Sequence, residues 1–395
     1  MSKYNFDEIV DRRGTHAIKV DALGERFGNP DLISLWVADM DFKSPPAVAN
    51  TIIERCRHGI FGYTSTSDEY YNSIINWVNR HHDWKIDREW ISFVPGIVKG
   101  IAFAVDCFTC PDHEVIIQPP VYHPFRIIPT LHHRTVVDNP LILEAGHYKM
   151  DVEGLKKLIN PASKLLILCN PHNPGGRVWT REELIAIADI CFEHKILVIS
   201  DEIHSDLAFV PHKHIPFASV SEKAAQNSIT FMAPSKTFNI AGIVSSYSVI
   251  PNKKLRELFH TFLSNSELEA GHIFAYLAAQ AAYDNGDEWL VEAKDYIWKN
   301  ICYVDEYLKS NIPQIKAMLP EASFLVWLDC RELNLLQSDL VSLFVDDAKL
   351  ALNDGIMFGT GGEGFMRLNV GTPLANIRQA MDNLKKAVET KQTSI

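Results

Sequence analysis

Three short segments carry side chains whose types and spacing could do chemistry. They read NPHNPGG at 170–176, DEIH at 201–204 and PSKTFN at 234–239. Each follows a short apolar run rich in β-branched residues: LLILC (165–169), ILVIS (196–200) and SITFMA (228–233). Taken singly, each has a structural explanation. Asn, Pro and Gly make turns, an aspartate caps a helix, and a lone lysine is ordinarily a solvated surface residue. Taken together they offer an amine, a carboxylate and an amide beyond neighbouring strand ends, where open α/β sheets bind ligands. A lysine in such a cleft can have a lowered pKa and form a Schiff base. A carboxylate that stays ionised beside a heteroaromatic nitrogen keeps that nitrogen protonated. Pyridoxal phosphate requires both parts.

The elements that must position these residues are legible as runs. EVIIQ (114–118), RTVV (134–137) and VSSYSVI (244–250) join the three strands above. Several are apolar throughout, as in strands buried on both faces, which predicts a mostly parallel sheet covered by helices. Between them, 180–195 reads as an amphipathic helix with a capping box, Thr180 as N-cap and Glu183 three residues on. After about residue 285 the pattern becomes helix (288–310), strand (SFLVWL, 323–328), helix (338–353), GIMFG, strand (FMRLNV, 365–370) and a C-terminal helix from about Pro373. The expected architecture is α/β, with the mostly parallel sheet in a large domain at 46–285 and a smaller α+β domain at 286–395. Residues 1–45 are expected to form an arm and part of the smaller domain.

Composition narrows the classes. Lysine and arginine total 38 against 49 acidic residues, a formal charge of −11, which speaks against a nucleic-acid partner. The opening MSKYNFDEIVDRRG lacks the apolar core of a secretory leader. The most apolar long window, 91–108, contains Pro95, Lys99 and Asp106 and fails as a membrane span. Seven cysteines without pattern read as reduced, buried thiols and point to the cytoplasm. GTGGEG (359–364) precedes a strand rather than following one, so it reads as a flexible loop and not a dinucleotide fingerprint. CFTC (107–110) lies at a helix end with no second pair, and the pairs His81-His82 and His132-His133 lack metal-ligand spacing, so no metal is expected.

With NPHNPGG, DEIH and SKTFNIAG the chain resembles the fold-type I pyridoxal-phosphate enzymes of the class I/II aminotransferase superfamily. WVADMDF (36–42), FGYTS (61–65) and VYHPF (121–125) resemble its MalY/PatB branch, the cystathionine β-lyases or C–S lyases, and the likeness runs from DRRGT (11–15) to MRLNVG (366–371). The resemblance implies a homodimer with shared active sites that cleaves cystathionine or related cysteine S-conjugates to a thiol, pyruvate and ammonia. It implies that Lys236 is the Schiff-base lysine and general base, and that Asp201 pairs with the pyridine nitrogen. Asn173 would bond the phenolic oxygen, with His204 supporting the same region, and Tyr122 would stack on the ring. Phosphate donors would be Ser235, the amides of Ile97 and Val98 where a helix opens after Gly96, and Tyr63 from the neighbouring subunit. Arg367 would fork onto the substrate α-carboxylate, and the backbone of Val37 and Ala38 would line the substrate side. The chain departs from the wider superfamily in one place: many members carry an arginine about eight residues after the lysine, and here the neighbourhood is GIVSS (242–246). The same residues would serve an amino acid aminotransferase. A third possibility is a cofactor-binding regulator that acts through a protein partner.

Overall fold

A computed structural model describes residues 3–393. Its largest sheet has seven strands: β1 (Ile91–Val94), β2 (Glu114–Ile117), β3 (Thr135–Asp138), β4 (Ser163–Cys169), β5 (Leu197–Asp201), β6 (Ser228–Met232) and β7 (Ser246–Val249). Their order across the sheet is β1-β7-β6-β5-β4-β2-β3. From β6 to β3 every neighbour is parallel, whereas β7 runs antiparallel to both β6 and β1. An apolar run reports burial on both faces but carries no direction, so the inversion at β7 is invisible in composition.

The uninterrupted apolar runs have the predicted origin. In β4, Leu165, Ile167 and Cys169 enter one core cluster, and Leu166 and Leu168 enter the cluster on the opposite face. Each such side chain contributes roughly 1.5–3 kcal/mol relative to exposure. The helix Arg181–Glu193 helps cover one face and carries the expected capping box. Glu183 N donates to Thr180 Oγ1 (3.2 Å), and Thr180 N donates to Glu183 Oε2 (2.9 Å).

A second, antiparallel sheet runs Lys316–Met318, Leu325–Asp329, Phe365–Asn369, Asn353–Asp354. The helix expected over 338–353 stops early. It is α-helical only over Gln337–Ser342, passes through a π turn at Leu343–Asp347, and ends where Lys349 takes φ 58°. Leu350–Ala351 then pairs in parallel with Ile33–Ser34. Burying Leu350, Ala351 and Leu352 as extended chain outweighs the helical spacing of the segment. The N-terminal segment is thereby threaded into this unit: Leu35 N donates to Ala351 O, and Asn369 N donates to Leu35 O, both at 2.9 Å.

The GTGGEG segment is not loose. A Cβ on Gly362 would lie 2.0 Å from the Gly355 carbonyl oxygen, and Gly364 N donates to Gln337 Oε1 (2.7 Å). Among the described residues no helix is long and apolar enough to cross a membrane.

Candidate active site

Strand register brings the three segments together. Cys169, the last residue of β4, pairs with Asp201, the last of β5, and Asp201 pairs with Phe231 of β6. The chain beyond each strand therefore opens over one cleft. Lys236 stands in the short helix Pro234–Thr237 that follows β6. The cleft holds a cavity of about 350 Å³. Lys236, Asp201, Asn173, His204, Tyr122, Ser235, Ile97, Val98 and Ala38 all line it. Arg367 adjoins it, donating from Nη1 to Asn173 Oδ1 (3.0 Å). Val37 stands behind the wall, its carbonyl held by Asn369 Nδ2 at 2.6 Å. Val37, expected to line the substrate side, is thus set back from the cavity, and Tyr63 is not brought to the chain's own cavity at all; it projects fully exposed from the segment 59–67.

The charges in the cleft lack the partners that buried charges ordinarily have. Burial pushes the Lys236 amine down to about 8, with Arg367 acting in the same direction and Asp39 and Asp201 opposing. Lys236 Nζ donates to the Ala38 carbonyl at 2.5 Å. Burial pushes the Asp201 carboxyl up to about 7, and it accepts from Ile203 N at 3.1 Å. The Arg367 guanidinium is buried among neutral acceptors: Asn173 Oδ1, Trp36 O (3.0 Å) and Asn353 Oδ1 (2.6 Å). Its Nε has no partner, and burial lowers its pKa to about 10. A buried cation surrounded only by neutral acceptors is costly until an anion arrives. His204, whose pKa burial lowers to about 3, and Ser245 also present buried, unpartnered atoms.

This donor set fits an anionic heteroaromatic cofactor. Asp201 lacks a cationic partner that a protonated ring nitrogen would supply, and Tyr122 offers a flat face. The helix Ile97–Phe108 opens on the cavity with free amides at its start. Gly96 before it holds φ 104°, a conformation that favours glycine. Where the wider superfamily has an arginine, Val244, Ser245 and Ser246 line the wall.

Three asparagines do unforeseen work. Asn239 Nδ2 donates to Met40 O (2.9 Å) and Phe42 O (2.7 Å), and its Oδ1 accepts from Met40 N (2.9 Å). Asn369 Nδ2 holds both Val37 O and Asp39 O. An amide inside an apolar run, as in FMRLNV, was the available signal, since a buried amide must be bonded. Asn353, which bonds Arg367, lies in the stretch read as helix and gave no such signal.

A family model described as aminotransferase class I and II matches residues 30–384. The chain belongs to this aminotransferase family. Within it, the chain is 43% identical to cystathionine beta-lyase PatB of Bacillus subtilis over 97% of its own length and 100% of that protein. It is 31% identical to Protein MalY of Escherichia coli, covering 98% and 99% of the two chains. Among solved structures, cystalysin from Treponema denticola, which contains a pyridoxal 5'-phosphate cofactor, superposes with a TM-score of 0.95 at 34% identity. That match covers 98% of this chain and 99% of cystalysin. A PLP-bound C-S lyase from Staphylococcus hominis gives 0.90 at 34% identity, covering 98% of each chain.

Proposed function

We propose that this family member is a pyridoxal-phosphate-dependent C–S β-lyase that cleaves cystathionine or related cysteine S-conjugates to a thiol, pyruvate and ammonia. The observation that carries the reading is Arg367, a buried cation with neutral partners, beside a cavity that also holds a lysine of lowered pKa. That pairing suits an α-amino acid, whose carboxylate completes Arg367 and whose α-proton faces an amine ready to act near neutral pH. The names of the PatB and S. hominis relatives support cleavage at sulfur.

When bound, the cofactor supplies an electron sink for the pair left as the α-proton departs. Asp201 would hold its ring nitrogen, Asn173 and His204 its phenolic-oxygen side, and Tyr122 its ring face. Ser235 and the amides of Ile97 and Val98 would hold its phosphate, joined by Tyr63 of the partner subunit. Arg367 orients the substrate carboxylate with its planar fork. Lys236 takes the α-proton. Ala38 forms the substrate-side wall with Val37 behind it, and the Ala38 carbonyl accepts one Lys236 hydrogen, which fixes where the amine points.

A homodimer is part of the reading. Tyr63 is exposed together with Ile60 and Phe61, which leaves its hydroxyl available to a second copy's cavity. A cytoplasmic setting accords with seven cysteines that are all free, although only Cys169, Cys191 and Cys330 are buried as expected, whereas Cys56 and Cys110 are exposed and Cys107 and Cys302 half-buried. We read 46–285 as the cofactor domain, 286–395 as the smaller domain, and 1–45 as an arm contributing to the latter.

Two measurements test the activity. With cystathionine and no added keto acid, sustained release of pyruvate and thiol is expected. A single half-turnover that stalls would instead establish an aminotransferase. Lys236→Ala should lose the visible absorbance of the lysine-bound cofactor together with turnover, and a retained lyase rate in that variant would overturn the assignment.

A further inference from the structure

Lys19 is completely buried, and the lyase reading above leaves it without a task. It lies in the short helix Ile18–Asp21, which is pinned to the extended chain ahead of the substrate wall. The Lys19 carbonyl accepts from Trp36 Nε1 (3.0 Å) and from Ser34 Oγ. Its amine then reaches the wall itself. Nζ donates to Asp39 O (3.0 Å) and Asp41 Oδ2 (2.9 Å), and lies 3.6 Å from Asp39 Oδ1. Arg12 closes the other side. It forks onto both Asp39 carboxylate oxygens at 2.9 Å and donates to Asp41 Oδ1 at 2.8 Å. Two cations and two carboxylates thus form a closed, neutral network on either side of the Ala38–Met40 backbone. Bidentate guanidinium–carboxylate pairs fix geometry as well as charge.

The backbone so held is the piece that touches Lys236. Ala38 O is the acceptor for the Lys236 amine, while the carbonyls on either side, Val37 O and Asp39 O, are tied to Asn369. We propose that Lys19 and Arg12 are positioning residues for Lys236: together with Asp39 and Asp41 they hold the Ala38 carbonyl in contact with the Lys236 amine and set the charge that this amine faces from the arm. The inference rests on the reading of Lys236 as the base.

The groups facing Lys236 come from three directions. Asp39 acts from the arm, Asp201 and His204 from β5 and the loop after it, and Arg367 from the Phe365–Asn369 strand. Asp39 favours the charged amine; burial works against its own charge, and Arg12 and Lys19 overcome that and hold it ionised. Removing a clamp cation leaves the Asp39 charge less balanced and the Lys236 amine more readily protonated. Removing the Asp39 charge does the reverse.

The decisive experiment uses the full chain freed of cofactor and needs no turnover. The rate at which fluorodinitrobenzene labels Lys236 is followed against pH by peptide mass spectrometry, which reports the midpoint for the free amine. Lys19→Met and Arg12→Gln should both move this midpoint up, and Asp39→Asn should move it down. General loosening of the wall would move all three the same way. A common direction, or an unmoved midpoint, therefore overturns the proposal. Arg12→Gln removes a side chain that is 24% exposed rather than buried, so the sign remains measurable even where the buried Lys19 variant does not fold. In the loaded enzyme, Lys19→Met and Arg12→Gln should lower kcat by about 10- to 100-fold, the scale of a slightly misplaced reacting group, and change KM less. A wild-type chain without lyase activity would refute the reading of Lys236 as a lyase base and leave the labelling shifts unaffected.

Discussion

At the scale of single residues, the cleft is organised by charges that the fold leaves incomplete. Arg367 keeps a buried guanidinium among neutral oxygens, and Asp201 keeps a carboxyl that burial has raised to about 7. Arg367→Lys retains the charge but loses the planar fork. Losing one charge-assisted bond costs about 1.5–3 kcal/mol, so KM for an α-amino acid should rise roughly tenfold to a hundredfold, with a smaller effect on kcat in steady-state assays. His172 of NPHNPGG gives a pH prediction. Burial lowers its pKa to about 3, so the unfolded chain binds a proton near the ordinary value of 6.5 and the folded chain does not. Its contribution to stability is complete above about pH 6.5 and is lost as pH falls from there towards 3. Across this acid window, Tm of His172→Asn should fall less steeply than that of the parent. Lys236, Asp201 and Asn173 were legible because each ends or follows a buried strand. Lys19 was not, since a lysine between Ile18 and Val20 looks the same in sequence whether its amine meets water or two carboxylates.

At the scale of elements, strand ends set the site and close-packed turns fix their height. Gly176 ends NPHNPGG at φ 68°, and a Cβ there would lie 2.4 Å from Pro320 Cβ and 2.7 Å from Pro320 Cα. Gly176→Ala combines left-handed strain with a backbone clash, and should cost at least about 2 kcal/mol in urea denaturation. Thr180→Ala, which removes only the cap of the next helix, should cost about 1 kcal/mol. Element existence was readable wherever apolar runs were long. The sense of β7 was not, because both orientations bury the same residues. Nor was the end of the Gln337–Ser342 helix, where pairing with Ile33–Ser34 from the far end of the chain decides the conformation.

At the scale of the whole molecule, the reading makes the functional unit a pair of chains. Lys236→Ala and Tyr63→Ala would each impair every site in their own homodimers. Co-refolded, they should form mixed dimers in which one site carries both lesions and the other carries neither. Lyase activity above that of either parent is the expected result, and its absence in dimers verified as mixed would argue that Tyr63 serves no second copy.

The hydrogen bonds from Asn369 to Val37 and Asp39 join positions 332 and 330 residues apart in the chain. Chain ends so distant meet only after the intervening segment has been made and ordered, because loop closure is a cost met before such contacts return anything. On a ribosome, β4, β5 and β6 can pair as they emerge, but the wall against Lys236 must wait for the strand Phe365–Asn369. Ligand capture is then a late property of the nascent chain, and a polypeptide cut short before that strand would keep the strands of its large sheet while lacking a closed cleft.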